Sequence, residues 1–186
     1  MNFRMTDPEE IKYWNDFIDG DLNTLSILFR YYVKGLITYG MKICPDEELV
    51  KDSIQEVFIK LIQKRHKLMR NVKIGGLLYR LLRNKMIDEL KLHHRSRKND
   101  LLMFNTDTRF ELDAEYHRIG IEEEITRESL LASVLEQLSA HQKEVLYLRY
   151  SKGFSYEEVS EVMGISIAST RTLIYRTLKK LKSELS

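Results

Sequence analysis

The segment that decides the fold of the second half of the chain reads, from residue 155 to residue 175, SYEEVSEVMGISIASTRTLIY. Ser155 followed by Glu158 is a capping box, in which a hydroxyl and a carboxylate each satisfy an unpaired amide at a helix start. The pattern therefore predicts a helix that begins at Tyr156. Gly164 predicts its end, because glycine adopts the left-handed conformation without a Cβ clash. Ser166 is then suited to cap a second helix.

The two predicted helices divide their side chains between an apolar face and a basic face. The residues that share the apolar face are Val159, Val162, Ile165, Ile167, Thr170, Ile174, Leu178 and Leu181. The residues that share the outer face of the second helix are Ala168, Arg171, Thr172, Tyr175, Arg176 and Lys179. In a major groove, arginine can donate two hydrogen bonds to guanine and threonine can contact a thymine methyl group. We therefore interpret the pair as a helix-turn-helix that binds DNA, with Lys179, Lys180 and Lys182 placed to meet phosphates.

Apolar residues recur at three- and four-residue spacing through most of the chain, which contains only 2 Pro and 8 Gly. This period is typical of helices and predicts an all-α protein made of two small helical domains. We expect a helical bundle over residues 1–98, an acidic linker over 99–124 and the helix-turn-helix domain over 125–186. One predicted helix of the bundle begins near Asp46, and its apolar stripe contains Val50, Ile54, Val57, Phe58, Leu61 and Ile62.

Charge is sorted by region, although 30 Lys and Arg nearly balance 28 Asp and Glu over the whole chain. Residues 58–99 hold 13 basic and 2 acidic side chains, whereas residues 100–128 hold 9 acidic and 3 basic ones. An ordinary solvated surface mixes both signs. Basic surfaces on two domains therefore favour bipartite binding to a polyanion such as DNA. The alternative is that these faces only keep the protein soluble.

Other functional classes find little support in the sequence. Cys44 is the only cysteine, so no intramolecular disulfide forms, and the histidines lack companion ligands at metal-binding spacing. No apolar run approaches the roughly 20 residues of a spanning helix, and no phosphate-binding glycine loop or set of nucleophile and base is present. We expect a cytoplasmic protein that is not inserted in a membrane, has no cofactor and is not an enzyme.

Three segments, in order, resemble motifs of the extracytoplasmic-function (ECF) group of bacterial sigma factors, which direct RNA polymerase to promoters. They are DSIQEVFIKL at residues 52–61, LLYRLLRNKMID at 77–88 and LSAHQKEVLYLRY at 138–150, with the helix-turn-helix after the third. The resemblance extends from about Leu25 to Leu181. Leu77 stands where the family usually has Trp and Ser139 where it usually has Pro, so a promoter sequence is not carried over from relatives.

The resemblance implies where polymerase and DNA would bind. The first motif is similar to the helix that docks on the polymerase clamp, which implies polymerase contacts from Asp52, Gln55, Glu56 and Ile59. The second is similar to the segment that faces the minus-ten element, which implies DNA contacts from Lys73, Arg80, Arg83, Asn84 and Lys91. The connection at about Lys64 to Ile74 would form a pocket for an unstacked base, and the helix-turn-helix would bind minus-thirty-five DNA. The implied partners are core RNA polymerase and promoter DNA, with an anti-sigma factor as a further candidate.

From the residues alone, simpler interpretations stay open. Asp52, Gln55 and Glu56 also fit the solvated side of a bundle helix, and Asn84 and Asp88, one turn apart, also fit a hydrogen-bonded pair. For the whole chain, one alternative is a helix-turn-helix regulator that binds duplex DNA without being a polymerase subunit. Another is a helical adaptor that binds proteins. Salt-sensitive DNA binding that requires polymerase would distinguish a sigma factor from both.

Overall fold

The computed structural model describes residues 6–96, 110–112 and 133–185. The chain divides into two compact units, Met1–Lys98 and Asn99–Ser186, which are called unit 1 and unit 2. The described residues contain helices and turns but no strand, which confirms the predicted all-α class. Most of the predicted linker at 99–124 lies outside the described residues.

Unit 1 is a helical bundle. Its helices are α1 (Asp7–Asp19), α2 (Leu22–Ile43), α3 (Glu47–Gln63) and α4 (Ile74–Ser96), and a 3-10 turn lies between α3 and α4 at Arg65–Lys67. Short polar side chains fix two of the helix starts: Asp21 accepts from the Asn23 amide at 2.9 Å and Asp46 from the Leu49 amide at 3.0 Å. These carboxylates satisfy amides that have no partner in the first turn of a helix.

One apolar stripe from each helix forms the core of unit 1. The largest fully buried side chains there are Trp14, Phe17, Leu28, Leu36, Tyr39, Val50, Ile74, Leu78, Leu82 and Met86. The predicted stripe of α3 is correct for Val50, Ile54, Val57, Phe58 and Leu61, which are buried. It is wrong for Ile62, which is 45% exposed, because Ile62 lies on the same side of α3 as the solvent-facing Ile59.

Helices α2 and α3 approach closely at Gly40. A Cβ atom built at Gly40 would lie 2.6 Å from Val50 Cγ1 and 3.1 Å from Val50 Cγ2, and Val50 is fully buried. Contacts that short do not occur between real side chains, so the two backbones can be this close only because position 40 carries no side chain.

Unit 2 contains α5 (Ala140–Leu146), which runs directly into a π-helical turn at Tyr147–Ser151, then α6 (Tyr156–Met163) and α7 (Ile167–Glu184). Ser139, which replaces the proline usual in the family, caps α5 in a capping box with Gln142. Phe110, within the predicted linker, is buried with its ring centroid 5.6 Å from that of Tyr147. This anchor was not predicted, because no apolar period surrounds Phe110 in the sequence.

Replacing Gly40 with Ala should destabilise unit 1 by about 1–3 kcal/mol, because the added methyl group would overlap Val50 in a packed core. Chemical denaturation followed by circular dichroism measures the loss. Replacing Val50 with Ala as well makes room for that methyl group, so G40A/V50A should lose less stability than the two single variants summed. Additive losses would show that the contact with Val50 is not what excludes a side chain at position 40.

Candidate nucleic-acid interface

The helix-turn-helix begins and ends as its capping residues predict. The Ser155 hydroxyl accepts from the Glu158 amide at 3.1 Å, and the Glu158 carboxylate accepts from the Ser155 amide at 2.9 Å. Gly164 ends α6 in the left-handed conformation, with φ of +67°. Ser166 then starts α7 by accepting from the Ser169 amide at 3.0 Å. These local bonds set the turn that presents α7.

The six side chains predicted to face DNA from α7 are all exposed, and together they are called the α7 face. They are Ala168, Arg171, Thr172, Tyr175, Arg176 and Lys179. Lys180, which we also expected to meet phosphate, donates instead to the Gln137 carbonyl at 2.9 Å. Its ammonium group ties α7 to the residues before α5.

The buried side of α7 differs from its prediction. Ile167 and Leu178 are exposed, whereas Thr177, which we had not placed inside, is fully buried beside Thr170 and Ile174. The Thr177 hydroxyl donates to the Leu173 carbonyl at 2.8 Å, and that of Thr170 to the Ser166 carbonyl at 3.1 Å. Each threonine thus satisfies its polar group within the helix and packs its methyl group inward. Positions 170, 174 and 177 are spaced as one face of a helix, so the sequence contained a signal for the burial of Thr177. The polar hydroxyl of Thr177 made that signal easy to miss.

Arg171 lies in a cluster that the sequence did not predict. Its guanidinium carbon is 5.5 Å from the centroid of the Tyr156 ring, and that of Arg149 is 4.9 Å from the same centroid. Arg149 also donates to the Phe154 carbonyl at 2.7 Å. Cation–π attraction to Tyr156 therefore restricts the directions that Arg171 can take on the α7 face.

Glu157 adds a weak ionic contact to this cluster. Its Oε1 lies 4.0 Å from an Arg171 guanidinium nitrogen, and both side chains are largely exposed. The pKa of Glu157 is lowered, chiefly by hydrogen bonds with its own backbone amide and with Ser155, and further by the charges of Arg171 and Arg149. An exposed pair at this distance contributes little, so Arg171 can leave Glu157 for DNA at small cost.

In unit 1, the residues predicted to face the minus-ten element are not equally available. Asn84 is exposed, and Arg80 and Lys91 are partly exposed. Lys73 is exposed, but its ammonium nitrogen lies 2.7 Å from Asp7 Oδ2. Arg80, Asn84 and Lys91 are together called the α4 face.

Arg83 differs from the other residues of this predicted set in its exposure. It is only 8% exposed, so it does not belong to the accessible surface on which we expected it. It lies on α4 between the buried Leu82 and Met86, on the side that packs into the bundle. A basic side chain in a DNA-facing motif suggested a surface position, whereas its place in the helical period put it inside.

The side chains predicted to contact polymerase share one exposed side of α3. Asp52, Gln55, Glu56 and Ile59 are all exposed, and Ile62 continues the same side; these five residues are together called the α3 face. Ile59 is 50% exposed. Ile59 and Ile62, one helical turn apart, therefore place two exposed apolar side chains among polar ones on this side of α3.

Glu56 connects the α3 face to α4. Its Oε2 lies 2.6 Å from the ammonium nitrogen of Lys85 and 3.6 Å from that of Lys60. The hydrogen bond from Lys85 is the main reason why the pKa of Glu56 is lowered. Burial lowers the pKa of Lys85, but its hydrogen bonds to Glu56 and Glu89 outweigh that effect and raise it. The ion pair between Glu56 and Lys85 therefore links the exposed side of α3 to α4.

Neither a metal centre nor a membrane span is found in the described parts of the chain. Among residues 6–96, 110–112 and 133–185, no group of three histidine, cysteine or acidic side chains is placed to hold a metal ion. None of the helices in the same ranges is long and apolar enough to cross a bilayer.

Comparison with known proteins identifies the family. The model for sigma-70 region 2 matches residues 28–96, and the model for sigma-70 region 4 matches residues 129–181. The ECF RNA polymerase sigma factor SigM of Bacillus subtilis is 22% identical over 160 residues, which cover 86% of this chain and 94% of SigM. The chain belongs to the ECF group of sigma-70 factors.

Further relatives agree with this assignment. RNA polymerase sigma factor SigZ of Bacillus subtilis is 29% identical over 162 residues, 83% of each chain. Among solved structures, CnrH in complex with the cytosolic domain of CnrY has a TM-score of 0.61 at 20% identity and covers 95% of this sigma factor and 96% of that chain. RpoE of Bartonella quintana, in complex with the anti-sigma factor NepR, has a TM-score of 0.62 at 18% identity, with coverage of 88% and 98%. At these identities the structures show a shared fold.

Replacing Tyr156 with Leu in this sigma factor should weaken binding of its complex with core polymerase to a duplex promoter fragment about 2- to 5-fold, because an exposed cation–π contact is worth about 0.5–1 kcal/mol. Tyr156→Phe keeps the ring beside Arg171 and should bind like the wild type. Fluorescence anisotropy at fixed salt measures both, with thermal unfolding as the check on folding. Equal affinity of the Leu and Phe variants would contradict the positioning of Arg171 by the ring.

Proposed function

We propose that this sigma factor binds core RNA polymerase and directs it to promoters through two DNA-binding surfaces. The observation that carries the proposal is that the two matched segments, 28–96 and 129–181, fall in different units. Each unit exposes side chains at positions that the family motifs assign to polymerase or DNA. Unit 1 contacts the polymerase and the minus-ten element, and unit 2 contacts the minus-thirty-five element.

Polymerase binding belongs to the α3 face. Ile59 and Ile62 supply exposed apolar area, and Asp52 and Gln55 supply polar groups beside it. An interface of this kind gains most of its affinity from a few apolar side chains that lose their contact with water. Phe58, the neighbouring aromatic residue, does not take part, because it is buried with its ring 5.0 Å from that of Phe29.

Promoter recognition in unit 2 belongs to the α7 face, and Arg171 and Arg176 are its base-reading candidates. Both are exposed; Arg171 lies in the first half of α7, the part that enters the major groove when a helix-turn-helix docks, and Arg176 lies at its middle. Lys179 lies farther along and suits a phosphate. This division separates side chains that choose the sequence from those that only add affinity.

Opening of the promoter belongs to unit 1. The α4 face offers a guanidinium, an amide and an ammonium group on one helix, and the connection before α4 carries further cations. Such surfaces hold a separated strand by its phosphates while unstacked bases contact the protein. The free energy of strand binding drives the opening, so the protein needs no catalytic residue. We propose that it is not an enzyme and that it acts in the cytoplasm with the polymerase.

We further propose an anti-sigma protein as a partner. CnrH and RpoE were each solved with a bound protein, the cytosolic domain of CnrY and the anti-sigma factor NepR. In this chain, the exposed Ile59 and Ile62 are a surface that such a protein would cover. Covering the α3 face would exclude polymerase, which gives an inhibitor a direct way to act.

Run-off transcription tests the proposal. Purified core polymerase is assayed on genomic fragments with and without this protein, and the expected result is new initiation at defined start sites. A helix-turn-helix regulator would bind duplex DNA without polymerase and would leave core polymerase inactive at those sites. A helical adaptor would give neither DNA binding nor initiation.

Replacing Ile59 with Asp should weaken binding to core polymerase about 10- to 100-fold, because it places a charge at an apolar contact worth about 1–3 kcal/mol. Leu22→Asp is the matched control, since Leu22 is 49% exposed and also belongs to unit 1, but lies outside the α3 face. Binding is measured with immobilised core polymerase. Equal affinity of the two variants would remove the α3 face from the interface.

Replacing Arg171 or Arg176 with Ala should weaken promoter-specific initiation about 5- to 100-fold while polymerase binding is unchanged, since a base contact by arginine is worth about 1–3 kcal/mol. Lys179→Ala should weaken binding to all DNA sequences equally and reduce its salt dependence. Arg30→Ala removes an exposed charge from α2 and should change neither property. If Arg171→Ala and Lys179→Ala lost the same fraction of specific and nonspecific binding, Arg171 would not read bases.

A further inference from the structure

Helix α1 holds the connection between α3 and α4, which consists of residues 64–73. The Trp14 indole N–H donates to the Met69 carbonyl at 2.9 Å, across 55 positions of sequence. Arg70 donates to both carboxylate oxygens of Asp19, one of them at 3.1 Å, and the Lys73 ammonium donates to Asp7 Oδ2 at 2.7 Å. The start, middle and end of α1 thus all touch the second half of the connection.

The connection has an unusual backbone where α1 holds it. Asn71 has φ of +55°, and it is the one residue other than glycine with positive φ in the described ranges. Its side-chain oxygen accepts from the Asn15 amide at 3.4 Å. Two residues earlier, the Met69 side chain is 76% exposed, the most exposed large apolar side chain in those ranges. A left-handed turn residue and an exposed apolar side chain therefore occur two positions apart.

Helix α1 is itself firmly seated, so it can act as a support. Trp14 and Phe17 are 1% and 0% exposed, with ring centroids 5.6 Å apart. The Glu10 carboxylate, half-buried, accepts hydrogen bonds from the Tyr32 hydroxyl on α2 and from the Gly75 backbone amide at the start of α4. A shift of the connection would therefore have to break contacts with a rigid neighbour.

The contacts between α1 and the connection are not equal in strength. The side chains of the Asp19–Arg70 and Asp7–Lys73 pairs are each more than half exposed, and such pairs contribute little. The Trp14–Met69 bond is partly buried, and removal of its donor leaves a carbonyl without that hydrogen bond. Trp14 therefore fixes the backbone, while the two cations can exchange carboxylate for phosphate.

We propose that Trp14 is a positioning residue for promoter opening: it holds the backbone at Met69 so that the connection presents the Met69 side chain to an unstacked base, with Arg70 and Lys73 beside it for the phosphates. This inference rests on the proposed function and adds an element to it. The region 2 model matches residues 28–96, so α1 lies outside the segment that this model matches. The exposed thioether suits a nucleobase face, because it is polarizable and needs no fixed hydrogen bond.

Trp14→Phe tests the positioning role, because it keeps an aromatic ring and removes the N–H. With the full-length protein bound to core polymerase, open-complex formation on a duplex promoter found by run-off transcription should slow about 10-fold. On the same promoter with a pre-melted minus-ten region, initiation should fall less than about 3-fold. Polymerase affinity should stay unchanged. Equal losses on the two templates, or no loss on the duplex, would overturn the proposal.

Met69→Ala is the second variant, and it does not threaten folding because Met69 is exposed. Met69→Ala should slow open-complex formation on the duplex template as much as Trp14→Phe does. On the pre-melted template its initiation should likewise fall by less than about 3-fold. In the double variant, the Trp14 change should add almost nothing to the Met69 change, since Trp14 acts through Met69. Fully additive losses, or wild-type opening by Met69→Ala, would overturn the proposal even if Trp14→Phe folds poorly.

Variants of the acidic partners should not show the loss expected of Trp14→Phe. Asp7→Asn and Asp19→Asn remove the carboxylates that hold Lys73 and Arg70, so binding of the holoenzyme to a single-stranded minus-ten oligonucleotide should be unchanged or up to about 3-fold tighter. A loss like that of Trp14→Phe would mean that any damage to α1 impairs opening, and would overturn the specific role of Trp14. Failure of the wild-type protein to stimulate initiation would instead refute the proposed function itself.

Discussion

Burial of one stripe per helix is the constraint on which the rest of this protein depends. In α4 the stripe contains Leu78, Leu82 and Met86, and its burial leaves Arg80 and Asn84 on the outer side. In α7 the buried Thr170, Ile174 and Thr177 leave the α7 face outside in the same way. Helices of this length gain most of their stability from packing. The functional faces are therefore not placed independently of the core: each is what the core leaves exposed.

Features governed by chemistry close in sequence could be predicted from the sequence alone. The helix-turn-helix start at Ser155 and its corner at Gly164 were predicted to the residue, because a capping box and a left-handed glycine each act within four positions. The all-α class followed from the period of the apolar residues. The exposed α3 face followed from a family motif, and the structure adds that Ile62 extends it.

Two kinds of feature could not be predicted. One depends on contacts between residues distant in sequence, and the other on where a polar side chain finds its hydrogen-bond partner. The family motif placed Arg83 among the DNA contacts and the predicted apolar face omitted Thr177, but the first is buried next to Leu82 and the second is buried with its hydroxyl bonded within its own helix. The Trp14–Met69 bond spans 55 positions, and the pairing of Arg149 and Arg171 at Tyr156 joins three elements. No periodic pattern in a single sequence encodes such pairings.

Several cations proposed to meet DNA have carboxylate partners on the protein itself: Lys73 with Asp7, Arg171 with Glu157, and Arg70 with Asp19. Asp7 and Asp19 are ionised at neutral pH, and hydrogen bonds from Lys73 and Arg70 lower their pKa further. Because each pair is exposed, it stabilises the fold only slightly. It does reduce the net positive charge that an arbitrary phosphate backbone would meet. A DNA site whose phosphates and bases are all well placed can replace several carboxylate partners at once. A single phosphate of nonspecific DNA replaces one carboxylate and gains little binding free energy. Under the proposed function, the acids would sharpen the difference between promoter and nonspecific DNA without changing any residue that reads a base.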